Sequence, residues 1–90
     1  MTIVVYIPTI LRSLTNEQKR VEADGTNVLA IIDDLERQYP GIKPRLMLHD
    51  KLHRFINLYV NDNDIRFSGE LETKVKSDDT IMILPAVAGG

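Results

Sequence analysis

The two most apolar stretches of this chain stand at its opposite ends, Ile3-Val4-Val5-Tyr6-Ile7 and Ile81-Met82-Ile83-Leu84. Both are short and rich in β-branched residues, so they read as strands rather than buried helices. Strands this apolar belong in the middle of a sheet, and the first reads as covered on both faces. Two central neighbours separated by the whole chain are most simply parallel. Pro8 stops the first. Pro85, which cannot donate to a ladder, stops the second, Thr80 to Leu84.

Between these ends the hydrophobic period changes. Val28, Ile31, Ile32, Leu35 and Tyr39 fall on one face of a helix, with Thr26 or Asn27 to cap its start and Pro40-Gly41 to end it. Before it, after a polar turn at Thr15-Asn16, Lys19 to Glu22 forms a weaker strand closed by Asp24-Gly25. After it, residues 42–53 carry no clear period and read as irregular or weakly helical. Phe55 to Val60 alternates as a strand, and Asn61-Asp62-Asn63-Asp64 is built of turn formers. A brief strand at Ile65 to Phe67 follows, then a loop or helical turn at Gly69 to Leu71. Ser77-Asp78-Asp79 turns the chain into its last strand. The order predicts an α+β fold: a mixed sheet of four to five strands with one main helix across one face, which is the β-grasp arrangement of ubiquitin-like domains. Residues 1–85 form that domain, and 86–90 are left as a flexible tail.

Ninety residues make one domain. A chain of this size buries about 60–65% of the surface its unfolded form exposes, which leaves little for a deep enclosed active site. The formal charge of −2 is spread along the sequence without a lysine or arginine block, which argues against nucleic acid or an anionic membrane as partner. No cysteine is present, so disulfides, thiolate nucleophiles and cysteine zinc sites are excluded. No signal peptide is evident, and the longest apolar run is far short of the ~20 residues of a membrane helix. A cytoplasmic location is the expectation.

The end of the chain carries the functional signal. Nothing after Pro85 is needed to close a core, and Gly89-Gly90 finishes neither a strand nor a helix well. Paired glycines suit passage through a narrow channel. From Ala86 through Val87, Ala88 and Gly89 to Gly90 the extended chain reaches about 17 Å, at roughly 3.3–3.6 Å per residue. None of these side chains is charged, so threading them desolvates no charge but the terminal carboxylate. The plain alternative is a frayed terminus.

The ending Ile83-Leu84-Pro85-Ala86-Val87-Ala88-Gly89-Gly90 resembles that of the small ubiquitin-like sulfur carriers, which serve molybdopterin, thiamin and one route of cysteine biosynthesis. Ile7-Pro8-Thr9-Ile10-Leu11-Arg12, Lys51-Leu52-His53-Arg54-Phe55 and Tyr59-Val60-Asn61-Asp62 resemble the cysteine branch in particular. The resemblance implies that the protein is not itself an enzyme and that Gly90 is the covalent sulfur-carrying residue. A ubiquitin-activating-type adenylyltransferase/sulfurtransferase would adenylate it with ATP, and a sulfur donor would displace AMP to leave a thiocarboxylate. That nucleophile would attack an aminoacrylate on a pyridoxal-phosphate-dependent cysteine synthase, and a zinc peptidase would release the cysteine. ATP, pyridoxal phosphate and zinc would belong to those partners, with no cofactor bound by this chain. Two alternatives stay open: the small subunit of molybdopterin synthase, and a protein modifier or binding module.

Other constellations are weaker. His49 and His53, four apart, could share a helical face, but two histidines do not close a metal site. Asp62-Asn63-Asp64 opens like a calcium loop and then places Arg66 and Phe67 where a ligand and a glycine are required. Asp33, Asp34 and Glu36 read as the wet face of the helix. Strand alternation sends Ile3, Val5, Ile56, Leu58, Ile81 and Ile83 toward the helix. It leaves Val4, Tyr6, Phe55, Asn57, Tyr59, Met82 and Leu84 on the other face. Tyr6, Phe55, Tyr59, Met82 and Leu84 are therefore the expected docking surface for a partner. Scattered exposed apolar side chains, or residues 42–50 folded over them, are the alternatives.

Overall fold

In the computed structural model, which describes residues 2–85, the first strand, β1 (Thr2–Tyr6), and the last, β7 (Thr80–Pro85), lie side by side and parallel, with Val5 opposite Ile81 and Tyr6 opposite Met82. The tail at 86–90 lies outside the described residues. β2 (Arg20–Asp24) flanks β1 antiparallel, and β5 (Ile56–Val60) flanks β7 antiparallel. The two-residue β6 (Asn63–Asp64) completes the order β2-β1-β7-β5-β6. This is the mixed five-stranded sheet that the end-to-end apolar pattern predicts.

Helix α1 (Val28–Gln38) crosses one face. Asn27 caps it, its side-chain oxygen accepting from the Ala30 N–H at 2.8 Å. Val28, Ile31, Ile32 and Leu35 are buried against Ile3, Val5, Leu58, Ile81 and Ile83 of the sheet, all at most 1% exposed. Gly25 makes the tight entry possible, because a Cβ there would stand 2.8 Å from the Ile31 nitrogen and 2.9 Å from the Ala30 Cβ. No helix among the described residues is long and apolar enough to cross a membrane.

Several local expectations are corrected. β1 is covered on one face only: Ile3 and Val5 are fully buried, whereas Val4 is half-buried and Tyr6 is exposed. The weaker strand runs to Asp24, two residues beyond Glu22. Thr9–Thr15 forms a 3-10 helix with Leu11 and Thr15 buried. The Thr15 hydroxyl is satisfied within 3.1 Å and 3.3 Å of the Gln18 and Arg12 carbonyl oxygens. Ile65–Phe67 is a 3-10 turn and not a strand, because Asp64 accepts from the Arg66 N–H at 2.9 Å and winds the chain there. The indistinct stretch 42–53 holds a short helix, α2 (Lys43–Leu46), and a small hairpin of β3 (Met47–Leu48) and β4 (Lys51–Leu52). Ile42 and Leu46 are buried in the core and α2 packs against α1, so this segment lies on the helix side of the sheet and does not fold over the other face.

Asp33, Asp34 and Glu36 are more than a wet face. Asp34 accepts from the Asp24 N–H and from Gln38 Nε2, both at 2.9 Å, and pairs with Arg37. Gln38 Nε2 also donates to the Glu22 carbonyl at 2.9 Å. The outward backbone groups of edge strand β2 are thus engaged by side chains of α1. Glu36 accepts from the Lys43 N–H at 2.9 Å and from the Gly41 N–H at 3.0 Å, while Asp33 pairs with Lys43. The Lys43 and Gly41 N–H bonds hold the Glu36 carboxyl below its ordinary range.

Candidate functional site

The uncovered face of the sheet is built by the register of four strands. Tyr6 of β1 stands opposite Met82 of β7, and Met82 stands opposite Tyr59 of β5, so the three form one lateral row. Arg20 extends that row through β2 and Asp64 through β6. One step toward the end of β7, Leu84 lies opposite Asn57, with Phe55 just before β5. Tyr6, Met82 and Leu84 are 37%, 37% and 38% exposed, and Phe55 is 46% exposed. Tyr59 is half-buried. The five expected docking residues therefore share one face, and no described element covers them.

Asn57 adds a polar feature to this apolar face. Its side-chain oxygen is buried and accepts no hydrogen bond among the described residues. An unmet acceptor of this kind costs free energy unless a donor reaches it.

The end of β7 is the point from which residues 86–90 continue, and its surroundings are defined. Ile56 stands opposite Pro85, which puts Arg54 and Phe55 beside that end. The Arg54 guanidinium lies 5.0 Å from the centre of the Phe55 ring, and the His53 ring is 5.2 Å away on the same side chain. On the other flank, Arg12 Nε donates to the Ile7 carbonyl at 3.0 Å, and the Ile7 N–H donates to the Lys19 carbonyl at 2.8 Å. Gly90, Gly89, Ala88, Val87 and Ala86 themselves lie outside the described residues.

The remaining candidates do not assemble. His49 sits in the β3–β4 turn in a left-handed conformation, not on a helix, and His53 Nδ1 accepts from the Phe55 N–H at 3.2 Å. Asp62 is in the β5–β6 turn with φ of 73°, and Asp64 is committed to the Arg66 N–H. Among the described residues no three histidine, cysteine or acidic side chains gather as a metal site. A cleft of about 450 Å³ between α1, β4 and the turns at 65–72 is lined by both acids and bases around Leu29, Leu52 and Leu71. No serine, threonine or cysteine is among the described residues that line it.

What sequence reading missed is the placement of charge. The basic residues are dispersed in sequence, and only the parallel pairing of β1 with β7 shows that Arg12, Lys19, Arg20 and Arg54 gather at one end of the sheet.

Comparison with known proteins agrees with the geometry. The sequence matches the ThiS family over residues 5–90. It is 55% identical over 93 residues to the sulfur carrier protein CysO of Mycobacterium tuberculosis, covering 100% of each chain. In the crystal structure of the Amycolatopsis orientalis BexX/CysO complex, one chain is 62% identical with a TM-score of 0.93, over 98% of this chain and 99% of that one. The small archaeal modifier protein 1 of Methanosarcina acetivorans superposes with a TM-score of 0.84 at 29% identity, covering 99% of this chain and 96% of that one.

Proposed function

The chain belongs to the ThiS family, and from that premise we propose that it is a sulfur carrier that bears a C-terminal thiocarboxylate on Gly90 and delivers the sulfur for cysteine synthesis. The observation that carries this reading is the full-length identity of 55% to a sulfur carrier, over 100% of both chains. The fold adds a physical reason. β7 delivers residues 86–90 from the edge of an apolar face, so a partner holding Tyr6, Tyr59, Met82 and Leu84 is positioned to receive the tail.

The chemistry proceeds in balanced steps. A carboxylate is a poor electrophile, so the Gly90 carboxylate first attacks the α-phosphorus of ATP on an activating enzyme, releasing pyrophosphate and forming an acyl adenylate. Hydrosulfide then attacks the acyl carbon, expels AMP and gives up its remaining proton. The resulting thiocarboxylate sulfur is a soft anion, comparable in kind to a cysteine thiolate. A pyridoxal-phosphate cysteine synthase would supply an electrophilic three-carbon unit from activated serine, to which the Gly90 thiocarboxylate sulfur would form the new carbon–sulfur bond. An acyl shift from sulfur to nitrogen leaves cysteine amide-linked beyond Gly90, and a zinc peptidase hydrolyses that bond.

The test is to mix the thiocarboxylate form with a pyridoxal-phosphate cysteine synthase and activated serine, then sequence the C-terminal peptide. Gly89-Gly90 followed by cysteine is the expected product. Sulfur lost to a molybdopterin precursor, with the synthase inactive, would move the assignment to the molybdopterin branch. The likeness to a small archaeal modifier protein favours a second reading, in which Gly90 forms isopeptide bonds. Lysine-linked conjugates in the producing cell, without any thiocarboxylate, would select it.

A further inference from the structure

The chain carries a formal charge of −2, yet the fold separates its charges into two poles. Because β1 and β7 are parallel while β2 and β5 run the opposite way, residues 7–20 and 53–55 meet at the end of the sheet where β7 finishes. Arg12, Lys19, Arg20 and Arg54 lie in those two segments, with Glu17 the one acidic residue among them. His53 is there as well. The other pole holds Asp62, Asp78 and Asp79, in the turns before β6 and β7. Three acids of α1 have partners of their own: Asp34 pairs with Arg37, Asp33 pairs with Lys43, and Glu36 caps the Gly41–Lys43 turn. Arg12, Lys19, Arg20, Arg45, Lys51 and Arg54 form no ion pair among the described residues.

Four of these six lie on segments at the end of the sheet where β7 finishes. Arg54 precedes Phe55 and Ile56, whose partner is Pro85; Arg20 is opposite Tyr6, whose other neighbour is Met82; Arg12 and Lys19 are tied to Ile7. We propose that Arg12, Lys19, Arg20 and Arg54 form a cationic collar around the point where the chain passes into residues 86–90, and that it docks on an acidic protein surface rimming the site that receives those residues. The inference rests on the carrier reading for the identity of the receiving protein, but not for the collar itself.

Charge of one sign concentrated beside the contact point raises encounter rates by 10–10³-fold and makes them fall with ionic strength. The acids at the far pole strengthen the effect, because repulsion from an acidic partner turns the molecule so that the β7 end leads. The tail has no charged side chain of its own, so orientation before contact falls to the collar.

Two measurements test this. In the first, the full chain is titrated with an octaglutamate peptide and followed by amide NMR at low salt. Shifts confined to Arg12, Lys19, Arg20, Arg54 and their neighbours are expected. Shifts absent there, or produced only by a single-stranded oligonucleotide of equal charge, would overturn the proposal. In the second, an activating enzyme from the same organism is mixed with the wild type, with the Arg20→Glu/Arg54→Glu double variant and with the Asp62→Lys/Asp78→Lys double variant. The association rate is read by stopped flow between 20 and about 300 mM salt. The collar variant should associate roughly tenfold more slowly at low salt and lose its salt dependence. Its maximal adenylation rate at saturating carrier should be unchanged, and the distal variant should stay near wild type. Equal effects of the two double variants, or a salt-dependent self-association of the wild type that accounts for the slope, would overturn it. If the peptide binds the collar while the enzyme never adenylates the wild type, the carrier reading fails and the collar stands. Thermal melts of both variants confirm that they fold.

Discussion

Gly25 is confined by backbone on the other side of a turn. The nearest obstacle to a Cβ there is the Ile31 nitrogen, which cannot rotate away. Gly25→Ala should therefore cost about 1–3 kcal/mol, as over-packing does, out of the ~5–15 kcal/mol typical of a domain. A thermal melt several degrees lower checks it, and an unchanged midpoint would mean that α1 shifts freely on the sheet. The alternation along β5 gives a sharper pair. Leu58 is 1% exposed and its neighbour Tyr59 is on the uncovered face. Leu58→Asp should unfold the domain by burying an unpaired charge. Tyr59→Asp should leave it folded and weaken binding to the activating enzyme, measured by calorimetry. Period-two spacing made this register readable in the sequence, because a slip by one residue would exchange the faces. The role of Gly25 was not readable, since it depends on where α1 comes to rest.

Edge strands invite pairing with another chain, and β2 is guarded by α1. Asp34 and Gln38 occupy the Asp24 N–H and the Glu22 carbonyl, groups that a foreign strand would use. The Asp24 N–H bond, opposed by partial desolvation and aided by Arg37 and Gln38, holds the Asp34 carboxyl below its ordinary value. A carboxyl with a depressed folded-state pKa stabilises above its unfolded value, and that contribution is lost as pH falls through the folded one. Stability should thus drop below about pH 4 by more in the wild type than in Asp34→Ala. At neutral pH that variant should be about 0.5–1 kcal/mol less stable, having lost hydrogen bonds to exposed partners. Denaturant melts at pH 3 and pH 7 measure both. The helix was legible from Val28, Ile31, Ile32 and Leu35, and its Asn27 cap from residue type. The acids on its flank looked like solvent-facing charge because composition does not reveal which backbone groups an edge leaves open. The turn at Ile65–Phe67 was misread for a related reason: three apolar-rich residues suit a strand, and the Asp64 cap that winds them is a local hydrogen bond with no periodic signature.

At the scale of the whole molecule, the buried core residues among the described residues all lie between Ile3 and Ile83. Deleting Gly90 should leave the thermal midpoint within about a degree of wild type, because hydrophobic burial dominates stability. The same deletion should abolish the exchange of one oxygen for sulfur that intact-mass analysis detects with ATP, activating enzyme and sulfide. A large fall in midpoint would make the tail structural. The overall topology and the common face of Tyr6, Phe55, Tyr59, Met82 and Leu84 were legible because apolar strands at both ends allow few arrangements. The cationic pole was not, since charges far apart in sequence become neighbours only when antiparallel strands bring their starts beside the ends of others.

The central parallel pair also bears on force. β1 and β7 run in the same direction, so a pull on the amino end of one and the carboxyl end of the other slides them past each other. All the bonds between them then share the load, as do those that tie β7 to β5, instead of opening one after another like a zipper. A partner drawing on residues 86–90 therefore grips the domain along its most resistant axis. In an optical trap, rupture with handles at the two chain ends should need a clearly higher force than rupture with handles in the Asn61–Asp62 and Ser77–Asp78 turns, where β5 and β7 would be peeled apart from their ends.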